Sequence, residues 1–133
     1  SWLYGRSGDN FVAAILKLAR QKRELKVVKD QIGSPTNTVD LSRWLLELIQ
    51  TDDYGIYHAS NTGACSRYEF ARAILAEAGI EVNVQPCTTE EYPRPAPRPK
   101  FSVLDHQAIR RKGLPELPNW QDSLRSFIRR GMG

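Results

Sequence analysis

"VVKDQIGSPTNTVDL", residues 27–41, leads from a strand through a turn into a helix, and the fold prediction rests on this order. Its apolar pair belongs to the strand-like run "ELKVVKD", and Gly33 and Pro35 are residues that tight turns favour. The polar patch 36–38 offers candidate helix caps, because Thr and Asn side chains accept hydrogen bonds from the unpaired amides of a helix start. Apolar residues then recur at helical spacing up to Ile49, which predicts an amphipathic helix.

The rest of the chain repeats this alternation. Asp9 or Asn10 is a candidate cap for the first helix, and Asn119 for the last. Ser66, with a glutamate three residues later, predicts a capping box for a helix that stops at Gly79. The other predicted strands are "SWLYG", "GIYHASN" and "EVNVQPCT", and the other predicted helices are "DNFVAAILKLARQ", "RYEFARAILAEAG", "HQAIRRKG" and "WQDSLRSFIRR". The predicted fold class is therefore α/β.

Composition fits one globular domain, with 133 residues of which 41% are apolar and 26% charged. The sequence has no apolar run long enough to cross a membrane and no signal-peptide pattern, so we expect no membrane partner and a cytoplasmic location. Cys65 and Cys87 lack the spacing of a metal or redox pair, and we predict free thiols.

The net charge of +4 is compatible with a polyanion or a phosphorylated small molecule as ligand. Basic residues collect on predicted amphipathic helices, where they form solvated faces. No aromatic residues alternate with them, so we predict no nucleic-acid partner. "EYPRPAPRPK" has prolines at 93, 95, 97 and 99, which predicts an extended surface connection; a proline-rich ligand for another protein is the alternative.

Local chemistry predicts no catalytic constellation. His58 and His106 have no serine or cysteine at a suggestive spacing, and structural roles are expected for both. The acidic pairs 52–53 and 90–91 fall at a turn and a helix start, where solubility and capping explain them. The GxGxxG fingerprint of a dinucleotide site is absent from the sequence.

The order of the motifs carries the prediction further. "SWLYG", "DNFVAAILKLA", "LKVVKDQIGSPTNTVDLS", "GIYHASNTGACSRYEFARAI", "EYPRPAPRPKFSVLD" and "NWQDSL" together resemble the C-terminal half of dTDP-4-dehydrorhamnose reductases, which are extended short-chain dehydrogenases. The resemblance implies that residues 1–133 form the substrate-binding part of a Rossmann-type fold, with part of its parallel sheet and a small α+β subdomain. It also implies reduction of dTDP-6-deoxy-L-lyxo-4-hexulose to dTDP-L-rhamnose by NADPH or NADH.

The family's catalytic pair, a tyrosine followed four residues later by a lysine, is found at none of the five tyrosines. We therefore expect an absent N-terminal half to bind most of the cofactor, assign no catalytic or cofactor-binding residue here, and expect the chain alone to be inactive. Some members bind magnesium through a glutamate of the final helix. "NWQDSLRSFIRR" has no glutamate, so we expect no magnesium site.

The resemblance implies five substrate-binding residues. Trp2 is expected against the deoxy-sugar, with a buried core position as the alternative. Gln31 is expected to face the sugar hydroxyls, although a plain turn would also explain this loop. Asn10 and Phe11 begin a helix whose free amides suit a diphosphate. Arg98 can bind phosphate through two parallel hydrogen bonds, or be a solvated arginine on the proline loop.

Two other functions stay open. The chain could be a non-catalytic regulatory relative such as the β subunit of methionine adenosyltransferase, or a basic interaction module that uses the Pro-Arg loop. We also expect "LKVVKD" to pair with "FSVLD". Exposed edges of the strands "SWLYG" and "IYHASN", with apolar faces at Val12, Leu16 and the Trp44 helix, predict self-association or binding of the other half.

Overall fold

The structure, a computed structural model, describes residues 1–93 and 95–131. In that part of the chain, one to three strands precede each of the helices α1 to α5. The helices are α1 (Phe11–Gln21), α2 (Thr38–Leu48), α3 (Arg67–Glu77), α4 (Gln107–Arg111) and α5 (Trp120–Arg129). The strands are β1 (Leu3–Tyr4), β2 (Glu24–Val28), β3 (Ile32–Gly33), β4 (Thr36–Asn37), β5 (Asn61–Thr62), β6 (Cys65–Ser66), β7 (Asn83–Cys87) and β8 (Leu117–Asn119).

The strands pair two by two. The pairs β1–β4, β2–β7 and β5–β8 are parallel, and β3–β6 is antiparallel. The longest ladder joins β2 to β7, from Glu24 opposite Asn83 to Val28 opposite Cys87. In the antiparallel pair, Gly33 lies opposite Cys65. The predicted α/β class with parallel strand pairing is confirmed.

Side-chain caps fix the starts of α1, α2, α3 and α5, as predicted. The Asn10 carboxamide oxygen accepts a hydrogen bond from the Ala13 amide at 3.0 Å, and Asn37 and Asn119 cap α2 and α5 in the same way. Ser66 and its glutamate complete the capping box of α3. Each such cap contributes on the order of 1 kcal/mol by pairing amides that the helix leaves without partners.

Phe70, in α3, lies at the centre of the main core and is fully buried. Its neighbours are aromatic, at centroid distances of 5.5 Å for Phe11, 5.8 Å for Tyr4 and Trp120, and 6.5 Å for Trp2. Burial of one such ring stabilises the fold by about 1.5–3 kcal/mol, so this cluster holds β1, α1, α3 and α5 together. A smaller cluster joins α2, α4 and β8.

The strand predicted at "GIYHASN" is wrong. Residues 55–60 form no strand, and only Asn61–Thr62 enter a ladder, with Leu117–Asn119. Ile56 is 90% exposed and His58 is also exposed. The apolar alternation of this stretch predicts an extended backbone, but a strand also needs a hydrogen-bonded neighbour, and residues 55–60 have none among the described residues.

The predicted pairing of "LKVVKD" with "FSVLD" is also wrong, because β2 pairs with β7. The "FSVLD" segment contacts Ile32 instead, whose amide donates to the Lys100 carbonyl and whose carbonyl accepts from the Ser102 amide. Phe101 forms a single bridge with Ile32 and is 69% exposed. β7 instead supplies a five-residue ladder to β2, even though it contains Pro86 opposite Val27.

The apolar faces predicted to be exposed at Val12, Leu16 and Trp44 are buried. The exposed apolar side chains of α2 are Val39, Leu45 and Leu46, with Ile49 just beyond its end. The prediction that these faces are exposed is wrong, because a helix stripe shows that a face is apolar but not which element covers it. Within the described ranges, no helix combines the length and apolarity of a membrane span.

Both cysteines are buried and free, as predicted. Burial, the largest effect, raises the pKa of the Cys65 thiol to about 12. Burial also raises the pKa of Cys87. Because the thiolate is the reactive form, neither cysteine is a candidate nucleophile at neutral pH.

Candidate functional site

A cleft of about 680 Å³ lies between α1, β2 and the start of α3. It brings together four of the five predicted site residues, which are far apart in sequence. The lining residues are Asp9, Asn10, Phe11, Ala14, Ile15, Leu18, Lys26, Val27, Val28, Gln31, Arg67, Tyr92 and Arg98. Trp2 does not line the cleft and lies behind Arg67.

One wall of the cleft is apolar because of helical periodicity. Phe11, Ala14, Ile15 and Leu18 follow the spacing i, i+3, i+4, i+7, so they share one face of α1. Val27 and Val28 of β2 also line the cleft. Such a surface suits the non-polar face of a sugar or a base, with polar groups needed only at the rim to fix the ligand's orientation.

The charged residues that line the cleft are mainly basic. Lys26, Arg67 and Arg98 line it, with Asp9 as the one acidic residue among the lining residues described. Burial, and next the charge of Arg98, lower the pKa of Arg67 to about 10, so its guanidinium is still protonated at neutral pH. Two neighbouring cations in a partly buried cleft favour binding of an anion.

Arg67 is the main residue that sequence reasoning missed. Its guanidinium stacks over the Trp2 ring at 3.8 Å from the centroid and lies 5.0 Å from the Phe11 centroid. The sequence does hold a signal: Arg67 occupies the first turn of α3, where the helix dipole disfavours a positive charge. A residue that breaks a local preference is often kept for function.

The guanidinium groups of Arg67 and Arg98 form no ion pair with any carboxylate of residues 1–93 and 95–131. Elsewhere in the chain, Arg110 binds Asp105 and Glu116, and Arg125 binds two carboxylates. The cleft arginines therefore keep their hydrogen-bond donors for a partner that the described residues do not supply.

Trp2 is held in an unusual backbone conformation. Its φ is 44°, in the left-handed region that costs a non-glycine residue on the order of 1–3 kcal/mol. Its ring lies directly on Gly33, where an added Cβ would be 2.4 Å from Trp2 Cε2. Gly33 is thus required for close approach of the ring, which is half-buried between Gly33 and Arg67.

Gln31 is oriented by a chain of hydrogen bonds. The Thr89 hydroxyl donates to Asp30 Oδ1 at 2.8 Å, and Gln31 Nε2 donates to Thr89 Oγ1 at 3.1 Å. Hydrogen bonds from Thr89, the largest effect, lower the pKa of Asp30, so the carboxylate is the acceptor at the end of the chain. Because the amide NH₂ is engaged there, Gln31 can offer its Oε1 to a ligand as an acceptor.

Asn10 uses its side chain for the helix start. Its oxygen accepts from Ala13, and its Nδ2 donates to the carbonyls of Gly5 at 2.9 Å and Gly8 at 3.3 Å. Both amide hydrogens therefore have partners, and Asn10 shapes the cleft by fixing the entry into α1. Phe11 stacks on Phe70 and contributes to the apolar wall.

A series of three hydrogen-bonded side chains, largely buried, lies away from the cleft. Ser60 Oγ is 2.8 Å from His106 Nε2, and His106 Nδ1 is 3.2 Å from Glu116 Oε1. The order resembles a hydrolase triad, but Ser60 is 0% exposed and His106 6% exposed. A nucleophile without access to substrate cannot act, so these bonds tie the 55–60 segment to the α4 region, which fits the structural role predicted for His106.

The comparisons with known proteins agree on one family. Residues 1–132 match the family described as the RmlD substrate binding domain. A spore coat polysaccharide biosynthesis protein of Bacillus subtilis is 50% identical over 128 residues, which are 96% of this chain and 44% of that protein. The dTDP-4-dehydrorhamnose reductase of Mycolicibacterium smegmatis is 40% identical over 131 residues, 96% of this chain and 40% of that protein.

Solved structures give the same result. The crystal structure of dTDP-4-dehydrorhamnose reductase from Bacillus anthracis in complex with NADP matches with a TM-score of 0.93 and 45% identity, over 98% of this chain and 46% of that chain. The dTDP-4-dehydrorhamnose reductase of Clostridium acetobutylicum matches with a TM-score of 0.93 and 46% identity, over 97% of this chain and 46% of that chain. The chain spans less than half the length of each of these relatives.

Proposed function

Because the chain belongs to the RmlD substrate-binding domain family, we propose that it holds the dTDP-linked sugar of a reductase. The whole protein would reduce the 4-keto group of dTDP-4-dehydro-6-deoxy-L-mannose and release dTDP-L-rhamnose. The hydride donor in this proposal is NADPH or NADH. Residues 1–133 would form the substrate-binding portion, and the cofactor would be held mainly by other parts of the protein.

The observation that carries the proposal is the composition of the cleft. It has an apolar wall from α1 and a rim with two arginines that lack a carboxylate partner within the described residues. A dTDP-linked deoxy-sugar presents the matching features, which are an apolar sugar face, a base and a charged diphosphate. Recognition would therefore combine apolar contact with charge-assisted hydrogen bonds.

The site residues have different roles in this proposal. Arg98 would bind the diphosphate, and Phe11 would contact the apolar part of the ligand. Gln31 would accept a hydrogen bond from a sugar hydroxyl, since its NH₂ is held by Thr89. Asn10 would position α1 rather than contact the ligand through its side chain. Trp2 would border the deoxy-sugar with the part of its ring that Arg67 and Gly33 leave open.

This chain's residues do not fit a dinucleotide site of their own. The sequence has no GxGxxG turn between a strand and a helix, and no tyrosine is followed four residues later by a lysine. No proton-transfer or hydride-transfer step is therefore assigned to residues of this chain. Their contribution to the reaction would be to bind and orient the keto-sugar, and orientation alone accounts for a large share of enzymatic rate enhancement.

The test is turnover by the protein expressed from its entire reading frame. We expect oxidation of NADPH or NADH with the dTDP-linked keto-sugar, and little turnover when the nucleotide is UDP or GDP. Residues 1–133 expressed alone serve as the control and should show no turnover. Tight binding of dTDP without turnover by the whole protein would favour the non-catalytic regulatory alternative, and retention of nucleic acid without dTDP binding would favour the basic interaction module.

A further inference from the structure

Arg67 combines two features that suit an anion-binding residue. Its guanidinium is half-buried against the faces of Trp2 and Phe11, at 3.8 Å and 5.0 Å from their centroids. It also lines the cleft and forms no ion pair with a described carboxylate. These cation–π contacts hold the guanidinium against the two rings, and no described carboxylate occupies its N–H donors.

Arg98 adds the second charge. It lines the same cleft from the proline-rich loop, close enough to Arg67 to disfavour the charged form of that guanidinium. Like charges in a partly buried site repel each other, and a bound anion removes this cost. A single carboxylate would satisfy one guanidinium, whereas a diphosphate carries enough oxygens and charge for both.

We propose that Arg67 is a second diphosphate-binding residue, which acts with Arg98 on the nucleotide-sugar. This inference rests on the proposed function. The stack on Trp2 adds a specificity role, since the guanidinium that binds the phosphate also fixes the ring proposed to border the sugar. The diphosphate and the sugar would thus be placed relative to each other by one side chain.

Arg72 provides a matched control for Arg67. It lies on the same helix and also makes a cation–π contact, with Tyr68 at 5.8 Å, but it lines a different depression and is exposed. Arg67→Met and Arg72→Met therefore remove the same charge and the same kind of contact. Arg67→Lys keeps the charge and removes the planar fork, so it separates bidentate binding from net charge.

The experiment is a calorimetric titration of dTDP into the protein from its entire reading frame, at several salt concentrations. Arg67→Met should weaken dTDP binding by about tenfold to hundredfold, since hydrogen bonds to charged groups contribute about 1.5–3 kcal/mol. It should also flatten the salt dependence of the affinity, because screening then acts on one charge fewer. Arg67→Lys should fall between Arg67→Met and the wild type, and Arg72→Met should match the wild type.

The possible outcomes separate the two proposals. Wild-type binding of dTDP with equal affinity and salt dependence in Arg67→Met would overturn the role of Arg67 and leave the proposed function standing. Absence of dTDP binding by the folded wild-type protein would overturn both. If Arg67→Met fails to fold, Arg67→Lys provides the test on its own. Full dTDP affinity in Arg67→Lys would show that Arg67 contributes only its charge, which would overturn the proposed bidentate role, and reduced affinity would support that role.

Discussion

Thr89 donates both its backbone N–H, at 3.0 Å, and its hydroxyl, at 2.8 Å, to the same oxygen of Asp30, across 59 residues of sequence. The Thr89 hydroxyl donates its one hydrogen to Asp30, so Thr89 Oγ1 acts only as the acceptor in the hydrogen bond from Gln31 Nε2. The direction of each hydrogen bond is therefore set by the carboxylate. Asp30 thus helps to orient the Gln31 amide through Thr89, although Asp30 does not line the cleft.

Replacing Thr89 by valine should break this chain. The pKa of Asp30 should rise toward its ordinary value, because hydrogen bonds to the charged form are what lower it. Release of Gln31 should also weaken binding of the dTDP-sugar by up to about tenfold. Titration of the Asp30 carboxyl by NMR measures the first effect. Thr89→Ser is the control and should keep both values near the wild type; equal behaviour of the two variants would contradict the mechanism.

Glu69 makes the stability of the chain pH-dependent. Hydrogen bonds from Ser66 lower the folded-state pKa of Glu69, so the unfolded chain binds a proton more readily. The stabilisation is therefore fully present above the unfolded-state pKa and is lost as pH falls through the folded-state pKa. Chemical denaturation at a series of acid pH values measures this slope.

Glu69→Gln separates charge from capping in the same measurement. A glutamine can still accept from the Ser66 amide, so the capping box should persist while the acid dependence becomes shallower. Glu69→Ala should lose about 1 kcal/mol at neutral pH as well, since the cap contact is gone. If the free energy of unfolding of Glu69→Gln falls with decreasing pH as steeply as that of the wild type, other carboxylates must cause the acid dependence.

Gly33→Ala should destabilise the fold by about 1–3 kcal/mol, the usual cost of overpacking. The new Cβ would be 2.4 Å from Trp2 Cε2, so the ring would have to move. A double-mutant cycle tests the cause: in a Trp2→Ala background, Gly33→Ala should cost much less, because the clashing ring is absent. Equal costs in both backgrounds, measured by urea unfolding, would place the strain elsewhere.

The chain by itself is predicted to self-associate with a second copy. Its exposed apolar side chains include Leu46 at 58%, Ile49 at 72% and Ile56 at 90% exposure, and exposed apolar surface of this kind favours association. Sedimentation velocity over a range of concentrations should show a rising mean mass. Ile49→Glu and Ile56→Glu together should suppress it. A wild-type chain that stays monomeric and unfolds cooperatively would disprove the prediction.

Local signals predicted the helices well. Asn10, Ser66 and Asn119 cap the helices that their sequence positions indicate, because a cap bonds to amides only two or three residues away. The partners of strands were predicted poorly. β2 pairs with β7, and residues 55–60 pair with no described strand, since pairing depends on contacts that a short pattern does not contain.

The same distinction holds for the candidate site. Asn10, Phe11, Gln31 and Arg98 were predicted from a resemblance of motifs, and they do line one cleft. Whether they bind substrate stays a prediction. Arg67 was missed because the rings that hold it, Trp2 and Phe11, come from distant parts of the chain. The bonds between Ser60, His106 and Glu116 were invisible for the same reason.

The position of Cys65 opposite Gly33 gives the protein an internal reporter. With the thiol buried and its pKa raised to about 12, a thiol reagent reacts only after this part of the chain opens. Labelling kinetics at Cys65, measured in a Cys87→Ser background, would therefore report how often the β3–β6 pair, on which the Trp2 ring lies, opens. A ligand that tightens the Trp2 stack would slow that labelling even if it never touches the cysteine.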